Sequence, residues 1–298
     1  MILIPKMKYI IVTGGAGFIG TNLIKSLLKF KKYKIISIDN YFTGTKSNHI
    51  KAKNLTYIKG NTKNISKILE HIKKKIVVVF HFAEFSRIAQ SFDNINRCFK
   101  SNINGSFEVI NFCMINKIKI IYSATSASLG NNGLDQNLSP YAFTKSNNMN
   151  LIMNLNEWFG LKYEIIYFYN VYGPNQIYKS NMAAVVGIFE ENYKKNKPLP
   201  VVKPGTQSRK FTHVQDTVEA CIYAWKKNKN SHYSISNNKS YSIIQLAKLF
   251  SSKIKMIPER RGERFISSIV KSVRNKKIIN LVGKRSLHTY VREIKKII

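Results

Sequence analysis

Two side chains with complementary acid–base chemistry lie four residues apart near the middle of the chain. Tyr141 and Lys145 have the i, i+4 spacing that places both on one face of a helix. A phenol is a poor base at neutral pH, and a fixed ammonium group beside it favours the phenolate. Such a tyrosine can take the proton of a hydroxyl group while hydride leaves the same carbon. Thr125, which directly follows a buried-strand pattern, is suited to hydrogen-bond the same oxygen. These three residues are the candidate catalytic set.

A glycine-rich segment near the start of the chain predicts where a cofactor binds. Residues 13–20 follow an unbroken apolar run, residues 9–12, and precede apolar residues at helical spacing over 21–28. Strand, glycine turn and helix form a dinucleotide-binding site, in which glycines allow a tight turn, close approach to the pyrophosphate and helix–strand packing. The predicted contacts, at the N-terminus of the helix, are Gly14, Gly17, Phe18, Ile19 and Gly20.

An acidic residue after the next apolar run indicates which dinucleotide binds. Residues 35–38 are followed by Asp39, nineteen positions after Gly20. At about this separation a carboxylate binds the adenosine ribose hydroxyls and repels a 2′-phosphate. The pattern therefore predicts NAD rather than NADP as the cofactor.

The alternation of apolar strands with helices predicts an α/β fold. Further buried-strand patterns lie at residues 55–58, 76–82, 118–122 and 163–169. The longest helical patterns cover 95–115 and 140–159. This alternation is typical of a doubly wound parallel sheet of the Rossmann type. After residue 174 the elements become shorter. We therefore expect an NAD-binding domain over 1–174 and a smaller α/β lobe, mainly substrate-binding, over 175–298.

The charge of the chain raises the question of an anionic partner. Its 49 Lys and Arg residues against 15 Asp and Glu residues give a formal net charge of +34. Nucleic acid is one explanation of such an excess. However, the lysines are spread along the whole chain and do not alternate with aromatic residues as in a base-stacking surface. A solvated basic surface is favoured, and nucleic acid is not expected as a partner.

Cysteine usage and hydropathy indicate the compartment. Cys98, Cys113 and Cys221 are odd in number and lack metal-ligand spacing, as is typical of reduced thiols. No apolar run is long enough to span a membrane, and no cluster of ligand-type residues suggests a metal. We expect a cytoplasmic protein with neither a metal nor a membrane partner.

Several motifs in combination resemble those of a known family. They are residues 13–20, Asp39-Asn40, His81-Phe82-Ala83, Asn102-x-Asn104-Gly105, Thr125, Tyr141 with Lys145, residues 170–174, Gly205-x-Gln207-x-Arg209 and Arg260-x-Gly262-Glu263. With these motifs, over residues 8–279, the sequence is similar to the extended short-chain dehydrogenase/reductases. Within them it resembles the NAD-dependent sugar-nucleotide epimerases and dehydratases.

The resemblance implies roles for further residues. Those expected along the NAD cofactor, besides the glycine turn and Asp39, are Asn40, Asn61, Phe82, Ala83, Asn102, Tyr141 and Lys145. The resemblance also implies a UDP-linked sugar as the substrate, and the residues expected around it are Glu84, Thr125, Asn170, Arg209, Arg260 and Glu263. The two arginines would bind the diphosphate, since a guanidinium fork matches phosphate oxygens.

This chain departs from the family pattern near the expected substrate. Asn61 stands where the family usually has an acid that binds the adenine. Glu84, Ser86 and Arg87 stand where more apolar residues are typical after the His-x-Ala motif. An amide can still bind an adenine, whereas a carboxylate beside the catalytic set changes the local charge.

The residues after Thr125 favour one reaction of the group. In the 4,6-dehydratases an Asp-Glu pair follows this threonine and moves the protons of elimination, whereas this chain has Ser126-Ala127. The resemblance then implies 4-epimerisation of a UDP-hexose or UDP-N-acetylhexosamine: Tyr141 takes the C4 hydroxyl proton, and hydride passes to NAD and returns to the other face of a 4-keto sugar. A dehydratase, a reductase or another epimerase of the group stays open as an alternative. A nucleic-acid-binding protein on the same fold is less favoured.

The resemblance also implies a homodimer with a four-helix interface. The helix of residues 95–115 and the helix that carries Tyr141 would supply an apolar seam of Ile103, Phe107, Ile110, Met114, Met149 and Met153, unless these residues face the sheet instead.

The resemblance also bears on the size of the substrate. Near the Arg260 loop, Ser267 would form a small pocket wall, which leaves room for an acetamido group. Both UDP-hexoses and UDP-N-acetylhexosamines are therefore expected to react.

Overall fold

The chain folds around one large β-sheet. The structure, a computed structural model, describes residues 7–129, 135–262, 272–274 and 276–297. Its strands, numbered in chain order, are β1 (Lys8–Thr13), β2 (Tyr33–Asp39), β3 (Leu55–Lys59), β4 (Ile76–His81), β5 (Lys119–Thr125), β6 (Tyr163–Phe168), β7 (Val171–Tyr172), β8 (Leu199–Val202), β9 (Ser208–Lys210), β10 (Thr212–His213), β11 (His232–Ser236), β12 (Ser240–Ser242), β13 (Ile254–Ile257), β14 (Ser272–Val273) and β15 (Lys276–Val282).

Nine strands within the described ranges form the main sheet, in the order β14-β15-β11-β6-β5-β4-β1-β2-β3. The edge strand β14 is antiparallel to β15, and the other neighbouring pairs are parallel. Central strands are covered on both faces, so β1 buries Ile10, Ile11 and Val12 completely. The strand order reverses between β1 and β4, where doubly wound folds bind ligands beyond the carboxyl ends. The predicted doubly wound parallel sheet is confirmed.

The sheet continues further along the chain than the sequence pattern suggested. The six predicted strands correspond to β1 to β6, but β11 and β15, from beyond residue 174, extend the same sheet in parallel. The register places His232 of β11 opposite Ile165 of β6. The main sheet thus takes strands from both predicted parts of the chain, and the division at residue 174 stays a prediction.

Helices cover the two faces of the sheet. Numbered in chain order, they are α1 (Phe18–Leu27), α2 (Ile65–Leu69), α3 (Ile88–Asp93), α4 (Ile95–Phe99), α5 (Ser106–Ile115), α6 (Pro140–Phe159), α7 (Val185–Lys194), α8 (Val214–Lys227), α9 (Ile243–Phe250) and α10 (Leu287–Ile297). One apolar cluster joins α2, α5 and α6 to the sheet, for example through Leu69, Val109 and Ile152. Another joins α1 and α8 through Leu23 and Val218. This three-layer arrangement leaves the carboxyl ends of the strands open for a site.

Helix α6 has the bounds that the sequence predicts, because both of its ends carry strong local signals. Ser139 caps the N-terminus, where its Oγ accepts a hydrogen bond from the Ala142 N–H at 3.1 Å. Pro140 occupies the first turn, where its missing N–H costs nothing. Gly160 ends the helix with a φ of 70°. The capped first turn fixes the position of Tyr141.

The predicted helix over residues 95–115 is interrupted. Between α4 and α5, Lys100–Gly105 forms a wide π-type turn. Inside this turn Asn102 is fully buried; its Oδ1 accepts from the Phe85 N–H at 2.6 Å and its Nδ2 donates to the Phe85 carbonyl at 3.0 Å. The turn therefore anchors the loop that follows β4.

The C-terminal lobe has an apolar cluster of its own. Helices α7, α9 and α10 pack together through Phe189, Leu246 and Val291, beside the paired strands β8 and β13. Helix α7 begins at Val185, and the short strand β10 ends at His213, where α8 follows directly from Val214. No helix in the described ranges is long and apolar enough to cross a membrane.

Candidate active site

A cavity of about 1200 Å³ lies at the carboxyl ends of β1, β2, β4 and β5, with the C-terminal lobe on its far side. Predicted site residues that line it are Gly14, Gly17, Phe18, Ile19, Gly20, Asp39, Asn40, Asn61, Phe82, Ala83, Glu84, Thr125, Tyr141, Lys145, Asn170, Arg209 and Arg260. Asn102 does not line the cavity; it lies behind the wall and holds the Phe85 backbone. Glu263 and Ser267 lie outside the described residues.

The glycine turn requires residues without a side chain. Gly14 has a φ of +73°, and a Cβ there would lie 2.9 Å from the Ala83 nitrogen. A Cβ on Gly20 would overlap the carbonyl oxygen of Gly14. Helix α1 begins at Phe18 with no acidic residue in its first turn. Its first N–H groups have no acceptor within the helix, which creates a site for an anionic diphosphate.

Asp39 is fixed beside this turn. Its carboxylate accepts from the Tyr41 N–H at 2.8 Å and from the Ala16 N–H at 2.9 Å. Burial raises the pKa of Asp39, and the two N–H groups act in the opposite direction. The carboxylate lines the cavity one strand away from the glycine turn, so the described residues fit the pyrophosphate and adenosine ribose of a dinucleotide.

Asn40 and Asn61 lie at the exposed end of the same half of the cavity. The side-chain oxygen of Asn40 accepts from the Phe42 N–H, and that of Asn61 accepts from the Lys63 N–H, both at 3.0 Å. Each side chain thus stabilises a local turn. Their assignment to the adenine half of NAD stays a prediction.

The two candidate proton-handling hydroxyl groups lie on the inner wall. Tyr141 is 9% exposed, and its backbone N–H donates to Ser91 Oγ at 3.2 Å. In the described part of the chain no residue hydrogen-bonds its phenol oxygen. Thr125 Oγ1 accepts from the Ala127 N–H at 3.1 Å, which leaves its own proton available to a ligand. Both residues therefore line the cavity with a hydroxyl group that can hydrogen-bond a ligand.

The ammonium group of Lys145 forms a buried ion pair with Glu84. Their side chains are 4% and 1% exposed, and Nζ donates to Glu84 Oε2 and to the Ser123 carbonyl. Nζ also lies 3.3 Å from Ser123 Oγ and 4.8 Å from the centre of the Tyr122 ring. Lys145 is thus held against the end of β5, with its charge beside a carboxylate.

Three further side chains donate to the Glu84 carboxylate. Ser106 Oγ does so at 2.9 Å, and Tyr122 Oη and Asn148 Nδ2 do so at 3.0 Å. Burial is the largest single influence and raises the pKa of Glu84, but the opposing effects of Lys145, His81 and Ser106 together keep this pKa below its ordinary value. Burial and the neighbouring Glu84 charge raise the pKa of Tyr122, which therefore stays a neutral donor. Glu84 is consequently an anion at neutral pH.

The network continues from Glu84 to the glycine turn through His81. Because Ser106 donates its proton to Glu84, it must accept from His81 Nε2 at 2.8 Å. His81 Nδ1 then accepts from Thr13 Oγ1 at 2.7 Å. Burial lowers the pKa of His81 to about 4, so the ring is neutral, as this arrangement requires.

The lobe side of the cavity carries the predicted substrate contacts. Asn170, with a φ of 38°, donates from Nδ2 to the Lys210 carbonyl at 2.8 Å. Arg209 is 8% exposed and lines the cavity, together with the exposed Arg260. Half-buried Arg87 also lines it, and its Nε donates to the Met182 carbonyl at 2.7 Å. This wall is basic, as a diphosphate site requires.

Sequence reasoning missed the side chains that donate to Glu84. Ser106, Tyr122 and Asn148 come from α5, β5 and α6, and no fixed spacing connects them. The only available signal was the acid itself, since Glu84 follows a His-x-Ala motif where apolar residues are typical. This signal indicated that the local charge is altered, but it did not indicate that Glu84 pairs with Lys145.

The cysteines do not form a reactive site. Cys98, Cys113 and Cys221 are unpaired and buried, and burial raises the pKa of each thiol. Within the described ranges no group of three His, Cys, Asp or Glu residues could hold a metal ion.

The fold and this cavity define a dinucleotide-binding protein whose site can move a proton at a hydroxyl group. A family model for the NAD-dependent epimerase/dehydratase family matches residues 10–237. The chain therefore belongs to the NAD-dependent epimerase/dehydratase family, and its cofactor is NAD.

Similarity to individual proteins extends over most of the chain. An uncharacterised UDP-glucose epimerase of Bacillus subtilis strain 168 is 33% identical over 231 residues, which cover 70% of each protein. The structure of UDP-N-acetylglucosamine 4-epimerase from Methanobrevibacter ruminantium M1 in complex with UDP-N-acetylmuramic acid is 27% identical, with a TM-score of 0.82 and 98% of each chain covered. UDP-glucose 4-epimerase of Thermotoga maritima with UDP-glucose is 25% identical, with a TM-score of 0.83 and 97% and 99% covered.

Proposed function

We propose that the protein is a nucleotide-sugar 4-epimerase that acts on a UDP-hexose or a UDP-N-acetylhexosamine. The observation that carries the proposal is the composition of the inner wall, where Tyr141 and Thr125 line the cavity and the described residues place no unpaired carboxylate beside them. The similar UDP-glucose and UDP-N-acetylglucosamine 4-epimerases support the substrate class.

The residues of the chain would handle the proton and hold the substrate. Bound NAD supplies the acceptor and donor of hydride at C4 of the sugar. Tyr141 takes the proton of the C4 hydroxyl as the carbonyl forms and returns it as the alcohol is restored. Thr125 donates a hydrogen bond to the same oxygen, and Arg209 and Arg260 bind the diphosphate. The sugar must turn over between the two transfers, for which the cavity of about 1200 Å³ leaves space.

The charge state of Glu84 argues against a 4,6-dehydratase. Elimination of water needs an acid that can protonate the leaving hydroxyl group. Among the described residues that line the cavity, the acids are Asp39, in the cofactor half, and Glu84. Because Lys145, His81 and Ser106 together keep the pKa of Glu84 below its ordinary value, Glu84 is a poor proton donor at neutral pH. A single oxidation and reduction at one carbon needs no such acid.

The test is to incubate the purified protein with a panel of UDP-hexoses, UDP-N-acetylhexosamines and UDP-uronic acids and to resolve the products by NMR. The expected product is the C4 epimer of at least one hexose or N-acetylhexosamine, without net consumption of NAD. A 4-keto-6-deoxy sugar or a decarboxylated sugar as the product would instead identify another reaction of the family. Binding of RNA with no turnover of any sugar would favour the nucleic-acid alternative.

We also propose a homodimer, on a narrower surface than the sequence suggested. Ile110, Met149 and Met153 of the predicted seam are buried against the sheet. Phe107, by contrast, is 47% exposed and borders a groove between α5 and α6 with the half-buried Ile103. A symmetric contact between these helix faces would cover this groove. Light scattering of wild type and Phe107→Glu tests it: a dimer that the charge dissociates is expected, and a monomeric wild type contradicts it.

A further inference from the structure

The wall behind the catalytic tyrosine contains a charge that 4-epimerisation does not require. Glu84 is 1% exposed, yet its carboxylate receives hydrogen bonds from Lys145, Ser106, Tyr122 and Asn148. The side-chain donors come from α5, α6 and β5, so three elements converge on one anion. Because four side chains donate to this carboxylate, Glu84 is fixed in one position and favoured in its ionised form.

Lys145 links Glu84 to the face of α6 that carries Tyr141, because it follows Tyr141 by one helical turn and both residues line the cavity. The lysine ammonium has three donors, and Glu84, the Ser123 carbonyl and Ser123 Oγ accept them. A lone cation at this place would favour the phenolate of Tyr141, whereas a cation paired with an anion favours it less. Glu84 therefore fixes where the ammonium group lies and also offsets its charge.

We propose that Glu84 is a positioning residue that holds Lys145 and raises the pH at which Tyr141 becomes an effective base. The effect on turnover rests on the proposed function. The effect on the ionisation of Tyr141 can be measured without a substrate. The titratable and charged groups around Glu84 are Lys145 on α6, His81 on β4, Tyr122 on β5 and Cys98 on α4. Arg87, in the loop after β4, is a further cation that interacts with Tyr141, and it stays unchanged in Glu84 variants. His81, Tyr122 and Cys98 stay neutral near pH 7, because burial disfavours their charged forms. Lys145 is consequently the partner through which Glu84 acts.

Glu84→Gln tests the proposal, since glutamine keeps the size of the side chain and removes its charge. The readout that needs no substrate is the ultraviolet absorbance of tyrosinate during a pH titration, taken as the difference between each protein and its Tyr141→Phe counterpart. We expect the ionisation of Tyr141 in Glu84→Gln to move to lower pH by about one unit. With an active substrate, the acid limb of the kcat/KM profile should move by the same amount, which is about a tenfold gain in rate on that limb.

Three further variants separate charge from structure. Glu84→Asp keeps the charge and should restore the wild-type profile. Glu84→Leu, which inserts an apolar side chain, should shift the profile as Glu84→Gln does and provides a second protein if the glutamine variant does not fold. Glu164→Gln is the matched control, because Glu164 forms a buried pair with Lys119 at the opposite end of the sheet. It should lose stability without any shift in either profile.

The outcomes distinguish this inference from the proposed function. If no sugar nucleotide of the panel reacts, the proposed function fails, and the tyrosinate titration still tests Glu84. An ionisation of Tyr141 that stays in place, or that moves to higher pH, in folded Glu84→Gln or Glu84→Leu would overturn the inference even if the enzyme is a 4-epimerase.

Discussion

Among the described residues, two buried Lys–Glu pairs lie at opposite ends of the central strands of the sheet. Lys119 begins β5 and binds Glu164 of β6 at 2.7 Å, with side-chain exposures of 8% and 0%. Lys145 and Glu84 form the other pair at the carboxyl ends, with exposures of 4% and 1%. Burial and residue types are nearly the same at both places. The difference lies in what else binds each carboxylate.

At the far end, the Glu164 carboxylate accepts three backbone N–H groups, those of Lys229, Asn230 and Ser231. It thereby fastens the turn before β11 to the sheet. At the site end, the donors to the Glu84 carboxylate are side chains. Glu84 and Lys145 themselves line the cavity. A buried ion pair is therefore structural or functional according to its surroundings, and its burial alone does not distinguish the two.

The largest effect is expected from a tyrosine at the site end. Tyr141→Phe removes the proposed proton acceptor and should lower kcat by about a thousandfold, the scale of a lost general base, while NAD still binds. Tyr163→Phe is the control, since Tyr163 is also buried but lies at the far end, where its hydroxyl accepts from Lys276. Its turnover should stay near that of wild type. Steady-state kinetics of the two variants test this prediction, and near-normal turnover of Tyr141→Phe would contradict the assignment of Tyr141 as the proton acceptor.

The far pair should matter for stability instead. Glu164→Gln leaves the Lys119 ammonium buried without its counter-ion and should lower the free energy of unfolding by about 3 kcal/mol. Its kcat, measured per folded molecule, should not change. Urea unfolding with parallel kinetics measures both quantities. A large loss of kcat in the folded variant would show that the Lys119–Glu164 pair also contributes to catalysis.

A smaller, pH-dependent effect should come from two histidines that repeat the same contrast. His81 lies in the site network, and His232 lies at the far end, beside Tyr163 and bonded to Tyr167 at 2.9 Å. Burial lowers the pKa of each from 6.5 to about 4. Between these pH values the unfolded chain binds more protons than the folded one, so stability falls as pH falls through this window. Each histidine should cost about 2 kcal/mol between pH 7 and pH 5.

Urea unfolding at the two pH values checks this expectation. His232→Asn should remove about 2 kcal/mol of the pH-dependent loss and leave kcat unchanged, because no catalytic group contacts His232. His81→Asn should remove a similar part of the loss but lower kcat, because it breaks the connection from Thr13 to Ser106. Equal stability of the wild type at pH 7 and pH 5 would be incompatible with two neutral buried histidines.

Local signals explain what the sequence could predict. The glycine turn, Asp39 and both ends of α6 depend on residues within a few positions of each other, and the structure has them as expected. By contrast, β11 and β15 mix polar and apolar residues, so their place in the main sheet depends on pairing with β6, which no local pattern encodes. Likewise Glu84 and Lys145 are 61 positions apart, and only the fold brings them together.

In the proposed reaction one carbon of a nucleotide sugar is oxidised and then reduced, with no other bond changed. UDP-glucose and UDP-N-acetylglucosamine that carry deuterium at C4 allow a direct test, with NMR analysis of the products in ordinary water. We expect the C4 epimer of at least one of them, with the deuterium retained at C4 and no hydrogen from solvent at other carbons. A 4-keto-6-deoxy product, or an epimer that has taken up solvent hydrogen at C4, would contradict it.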